Sequence, residues 1–121
     1  MSKRKIGQSA EDLAEIYFRQ RGYDIIAKNY RCKTGEIDLI VRRGDQLVFV
    51  EVKGATTDGG FPPEDKVDLM KRRKIISAAE FFCLKNSQIL DKIRSISFDV
   101  VVVNLVRGEI KHYESAFFVE R

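Results

Sequence analysis

Apolar and polar positions alternate along both arms of the stretch Gly35 to Gly54, GEIDLIVRRGDQLVFVEVKG. Period-2 alternation is the mark of a half-buried strand. Gly44-Asp45 lies midway and suits a two-residue hairpin turn. That turn fixes a register in which Asp38 faces Glu51 and Glu36 faces Lys53. All four side chains then leave one face. The other face holds Ile37, Leu39, Val41, Val48, Val50 and Val52, a surface suited to burial.

The same reading, carried along the chain, predicts the remaining elements. Met1 to Gly7 reads as a frayed basic arm, and Ser9 as the N-cap of a helix with Ala10, Leu13, Ala14, Tyr17 and Phe18 in one stripe. Gly22 stops that helix. Glu11 falls in its first turn, where an acid favours the dipole. Tyr23 to Lys28 is a short strand, and Asn29 to Gly35 a polar loop carrying Arg31 and Lys33. After the hairpin comes a loop, Gly54 to Asp65, with Gly59-Gly60 and Pro62-Pro63. Asp68 caps a second helix, about Leu69 to Leu84. Ile96 to Leu105 is a nearly continuous apolar run, as in a strand covered on both faces. Ile110 to Tyr113 is a short last strand, and His112 is assigned to the surface of that edge strand. The order predicts a mixed sheet with helices on both faces, in which the strands flanking the second helix run parallel.

Composition adds bounds. With 121 residues, 44% of them apolar and 33% charged, the chain is a single globular domain. The net charge of +4 is compatible with a polyanionic partner. Cys32 and Cys83 lack metal-type spacing and read as free thiols of a reducing cytoplasm. No apolar run approaches the roughly 20 residues needed to span a bilayer.

Chemistry enters at the charged end of the hairpin. Two unit charges about 5 Å apart, at an effective dielectric near 20, repel by on the order of 3 kcal/mol. Lys53 answers one carboxylate, most simply Glu36. Asp38 and Glu51 remain, and a hard divalent cation would reconcile them, with the Val52 carbonyl as a further ligand. Such an ion orients a water and offsets charge on a phosphate, and Lys53 would stabilise the attacking hydroxide or the pentavalent phosphorus. The run Lys71-Arg72-Arg73-Lys74 sits at the start of the second helix, where cations oppose the dipole. A phosphate there would meet side chains and helix end together.

These residues resemble the YraN family of bacterial proteins. That family belongs to the PD-(D/E)xK, or restriction-endonuclease-like, nuclease superfamily, and is related to archaeal Holliday-junction resolvases. The likeness runs from about Gly7 to Phe117. It includes Glu11-x-x-Ala14, Asn29-x-Arg31, Gly35-Glu36-Ile37-Asp38-Leu39-Ile40, Phe49-Val50-Glu51-Val52-Lys53, Val67-x-x-x-Lys71, Ala78-Ala79, Phe98-Asp99-Val100 and Ala116-Phe117. It implies a three-layer αβα sandwich with an αβββαβ core. It implies Asp38, Glu51, Lys53 and Glu11 as catalytic residues, with Asp38, Glu51, Glu11 and Val52 around Mg²⁺ or Mn²⁺. Glu36 is then a supporting partner. Arg31, Lys33, Lys71, Arg72, Arg73 and Lys74 become candidate DNA contacts. Gly54 and Ala55 follow Lys53 and Ser97 precedes Phe98, where that family often carries arginine. The activity implied is endonucleolytic, on DNA that is branched or otherwise structured, with a homodimer required for symmetric cleavage of two strands. Two rival readings remain open. One is a non-catalytic nucleic-acid-binding protein with a vestigial site. The other is an interaction domain whose acids form surface ion pairs.

Overall fold

The computed structural model describes residues 3–56 and 68–119. The expected loop from Gly54 onward lies, from residue 57, outside the described residues. The elements are α1 (Lys3–Gln20), β1 (Asp24–Cys32), β2 (Gly35–Arg43), β3 (Gln46–Ala55), α2 (Leu69–Lys85), α3 (Ser87–Leu90), β4 (Ser95–Asn104) and β5 (Glu109–Phe117). The five strands form one sheet in the order β1-β2-β3-β4-β5. Three neighbouring pairs are antiparallel, and β3 runs parallel to β4 across the α2 crossover. The result is the three-layer αβα sandwich with an αβββαβ core, extended by one strand.

Each face carries its own core. On the α1 side, Ala10, Ala14 and Phe18 pack on Leu39, Val41, Val48, Val50, Val52, Val101 and Val103. On the α2 side, Ile75, Ala78, Ala79 and Phe82 pack on Ile37, Ile40, Leu47, Phe49 and Phe98. The hairpin is therefore buried on both faces, not half-buried. Ile37 also departs from expectation, because it packs with α2 while Leu39 and Val41 pack with α1. The two-residue alternation breaks at Asp38.

Helix α1 begins at Lys3, six residues before the expected Ser9 cap. Lys and Arg are good helix formers, and a single glycine in that stretch is tolerated at roughly 1 kcal/mol. Glu11 consequently sits in mid-helix, and the dipole offers it no support. The other end follows expectation. Gly22 has φ 85°, Tyr23 N–H reaches back to Phe18 O at 3.0 Å, and Gly22 N–H to Arg19 O at 3.1 Å. This paired pattern is a Schellman stop, and the Phe18 and Tyr23 rings meet across it at 5.2 Å.

Strand β1 continues through Cys32 and leaves only Lys33-Thr34 as a turn, so Arg31 lies on a strand and not in a loop. Strand β5 likewise runs to Phe117, beyond the expected Tyr113. Its pairing with β4 shifts between Phe98 and Val100, opposite Ser115 at φ 50°.

Candidate functional site

The site grows from the point where β2 and β3 stop pairing. Their ladder runs from Arg43↔Gln46 to Leu39↔Val50, in the register set by the Gly44-Asp45 turn. Beyond Leu39 a side chain takes over: Val52 N–H donates to Asp38 Oδ2 at 2.8 Å. This contact seats the Asp38 carboxyl beside Glu51, which is only 6% exposed on the α2 side of β3. Val52, expected to offer its carbonyl, contributes its amide to Asp38.

Two lysines converge on one oxygen. Glu51 Oε1 lies 3.2 Å from Lys53 Nζ and 2.8 Å from Lys71 Nζ. Lys53 thus pairs with Glu51, not with Glu36. Glu36 faces Arg31 instead, with Nε at 3.4 Å, because Glu36 pairs with Arg31 across β1 and β2. Lys71, expected among the DNA contacts, is a member of the acidic site. The rest of its run diverges. The Arg72 guanidinium lies 5.8 Å from the Phe117 ring, whereas Arg73 and Lys74 are exposed. Lys33 is exposed at the β1–β2 turn.

Helix α1 supplies Glu11 from the opposite face. Asn29, in the left-handed region at φ 51°, hydrogen-bonds the Glu11 carboxylate. Asn reaches that conformation more readily than most residues. Asn29 matters to the site through this contact, and its signal in the sequence is the Asn29-x-Arg31 pair of the YraN resemblance.

The electrostatics follow from crowding. Burial, and then the charge of Glu51, push Asp38 up from 3.8 to about 7, against the pull of the Val52 N–H. Burial also raises Glu11, and Glu36, Asp12 and Glu51 add to it, while Asn29 opposes. Lys53 is pushed down by burial and by Lys71. Burial alone would lower Lys71 too, but its bond to Glu51 leads a set of attractions that raise it. The conflict between Asp38 and Glu51 therefore has answers within the chain: a protonation-prone Asp38, a backbone donor, and two ammonium groups.

The donor set that remains is all oxygen and suits a hard divalent ion. Among the described residues, however, no group of three or more His, Cys, Asp or Glu is gathered around one point. Next to the site, Gly35, Glu36, Asp68, Met70, Lys71 and Lys74 line a cleft of about 340 Å³. Asp68 caps α2 by accepting from Lys71 N–H at 2.8 Å. A carboxylate already occupies the helix end expected to receive a phosphate.

Sequence reasoning missed a second polar cluster. His112 is partly buried, with its side chain 9% exposed and turned inward rather than out from the surface of the edge strand. Its Nε2 lies 2.7 Å from Asp99 Oδ2, and its Nδ1 lies 3.0 Å from the Tyr17 hydroxyl. Asp99 Oδ1 accepts from Ser115 N–H at 3.0 Å, across the irregularity in β5. No spacing along the chain joins Tyr17, Asp99 and His112, so only the fold reveals them.

Fold and site together define an α/β sandwich protein with a carboxylate–lysine site at one end of its central strands. The sequence pattern of the family described as "Uncharacterised protein family UPF0102" matches residues 10–103. The chain belongs to that family, in agreement with the YraN resemblance. A UPF0102 protein of Lachnoclostridium phytofermentans is 40% identical over 118 residues, covering 97% of this chain and 96% of the relative. One of Clostridioides difficile is 38% identical over 117 residues, covering 97% and 100%. Among solved structures, Pyrococcus furiosus SfsA in complex with Ca²⁺ matches at TM-score 0.40 and 16% identity, covering 98% of this chain and 66% of that one. No helix among the described residues is long and apolar enough to cross a membrane.

Proposed function

We propose that this protein is a Mg²⁺- or Mn²⁺-dependent DNA endonuclease that hydrolyses phosphodiester bonds, with branched or otherwise structured DNA as its substrate class. The observation that carries this reading is the convergence of Asp38, Glu51 and Lys53 where β2 and β3 part, with Glu11 arriving from α1. Asp38 and Glu51 would hold the ion with the Val52 carbonyl, and Glu11, which is not gathered with them around one point, would join them from α1. An ion held there would supply Lewis acidity toward the phosphate and activate a water. Lys53, half-buried beside Glu51, is placed to offset negative charge as water attacks phosphorus and the P–O bond to the leaving sugar oxygen breaks. Exposed Lys33, Arg73 and Lys74, with Arg31, supply backbone contacts on the neighbouring surface. A homodimer would place two such sites on opposite strands. The free cysteines are in keeping with a reducing cytoplasm.

The test is cleavage of linear and branched DNA with Mn²⁺, comparing the wild type with Glu51→Ala. Loss of cleavage by at least about a hundredfold is expected, as for removal of a group acting directly on the transition state. Equal cleavage by the two proteins would refute the assignment.

One observation favours a second reading, a nucleic-acid-binding protein without catalysis: Glu51 already has two ammonium partners. That reading predicts salt-dependent DNA binding that survives both chelation and Asp38→Ala, with no cleavage.

A further inference from the structure

One carboxylate oxygen, that of Glu51, holds two ammonium groups, with the Asp38 carboxyl beside it. The second, Lys71, comes from a different element and makes the shorter contact, 2.8 Å against 3.2 Å for Lys53. Nothing in α2 asks for it, since a cation in a first helical turn opposes the dipole. The two partners differ in accessibility as well. The Glu51 side chain is 7% exposed, whereas that of Lys71 is 40% exposed. Lys71 also lines the 340 Å³ cleft with Lys74 and Met70, so its flexible stem has open space to enter.

We propose that Lys71 is the exchangeable cation of this site. In the metal-free protein it occupies Glu51 and keeps a buried carboxylate paired. When a divalent ion takes that oxygen, the Lys71 ammonium is displaced by repulsion between like charges and turns into the cleft, where a substrate phosphate is its next partner. Lys53, on the same strand as Glu51 and the more enclosed of the two, stays. This inference rests on the metal-dependent reading above and adds a regulatory residue to it: the site is closed to metal by its own side chain, and metal and phosphate binding favour each other through Lys71.

The test is Mn²⁺ binding by calorimetry and by thermal unfolding, with no nuclease readout. Lys71→Gln should unfold at a lower temperature than the wild type in chelator, because Glu51 loses a partner. It should then bind Mn²⁺ roughly ten- to a hundredfold more tightly, the range expected from one charged hydrogen bond no longer broken, and should gain more in melting temperature from Mn²⁺. Lys85→Gln makes the same charge change at the far end of α2 and should bind Mn²⁺ as the wild type does. Lys71→Arg keeps a cation against Glu51, so it retains the fold if Lys71→Gln does not. Its fork should grip the carboxylate more firmly and bring Mn²⁺ affinity below that of the wild type. Affinity in Lys71→Gln equal to or below the wild type, an equal gain in Lys85→Gln, or tighter binding in Lys71→Arg would each overturn the exchange. Mn²⁺ binding in the wild type with no response at Lys71 would leave the metal-dependent reading standing. If neither the wild type nor Lys71→Gln binds Mn²⁺, that reading fails and the exchange fails with it.

Discussion

Asp38 is a carboxyl group that the fold keeps protonated far above its ordinary range, with burial as the first cause and Glu51 as the second. The folded protein therefore binds this proton more tightly than the unfolded chain does. The stability linked to it is fully present below about pH 4 and is lost as pH rises toward and through about 7. Each pH unit of that interval corresponds to about 1.4 kcal/mol. Asp38→Asn keeps an oxygen for Val52 N–H and removes the titration. In chelator at pH 8 the variant should be more stable than the wild type, by about 4 kcal/mol. At pH 4 that advantage should vanish. Urea unfolding at the two pH values measures the difference, and a gap independent of pH would show that the crowding of Asp38 and Glu51 carries no such energy. At this scale the sequence was informative but incomplete. Period 2 placed Asp38, Glu51 and Lys53 together because they lie on adjacent strands of one hairpin. The same rule assigned Glu36 to Lys53, and failed because alternation breaks at Asp38. Lys71 reaches Glu51 only through the packing of α2 on the sheet, which no local pattern records.

At the scale of elements, α2 is positioned by an unusually close approach to β2. A Cβ on Gly35 would lie 2.5 Å from the Lys74 carbonyl oxygen and 3.2 Å from Lys74 Cβ. The backbone of the helix is the obstacle, so no side-chain rotation relieves it. Gly35→Ala should cost about 1–3 kcal/mol, the usual range for overpacking, and should push the start of α2 away from the sheet. Since Lys71 lies in that turn, its contact with Glu51 should be lost in a crystal structure of the variant. An unchanged unfolding midpoint would show that the helix shifts freely. The element boundaries differ in how far local chemistry fixes them. The α1 stop at Gly22, the Gly44-Asp45 turn and the Asp68 cap were legible because each needs a particular backbone or side-chain group at one position. The α1 start was not, since Ser9 is only a preferred cap and the residues before it also favour helix. The full length of β5 was hidden by its polar composition and by the irregularity at Ser115.

Across the whole molecule, Tyr17, His112 and Asp99 tie the first helix to the last two strands. The Tyr17–His112 contact joins residues 95 positions apart. Asp99 is 2% exposed, so His112→Ala would leave one of its oxygens buried without a partner. The expected loss is on the order of 2–4 kcal/mol by urea unfolding, and Tyr17→Phe should lose only about 1 kcal/mol. A cost below about 0.5 kcal/mol for His112→Ala would mean that water or a neighbouring group replaces the imidazole. The layer architecture was legible because the order of helical and strand periods, with a crossover between the third and fourth strands, admits few arrangements. The polar tie was not, since a lone histidine in a short polar stretch carries no record of a tyrosine and an aspartate elsewhere.

The spatial order of the strands is also their order along the chain. Each strand emerging from the ribosome meets a sheet whose free edge is the strand made just before it. No strand has to be threaded between two that are already paired. Helix α1 is made first, yet its apolar stripe rests on β2, β3 and β4, so it cannot bury that stripe until most of the sheet exists. Growth of the sheet can thus keep pace with synthesis, whereas closure of the α1 layer, with its contacts distant in sequence, is the late and slower event.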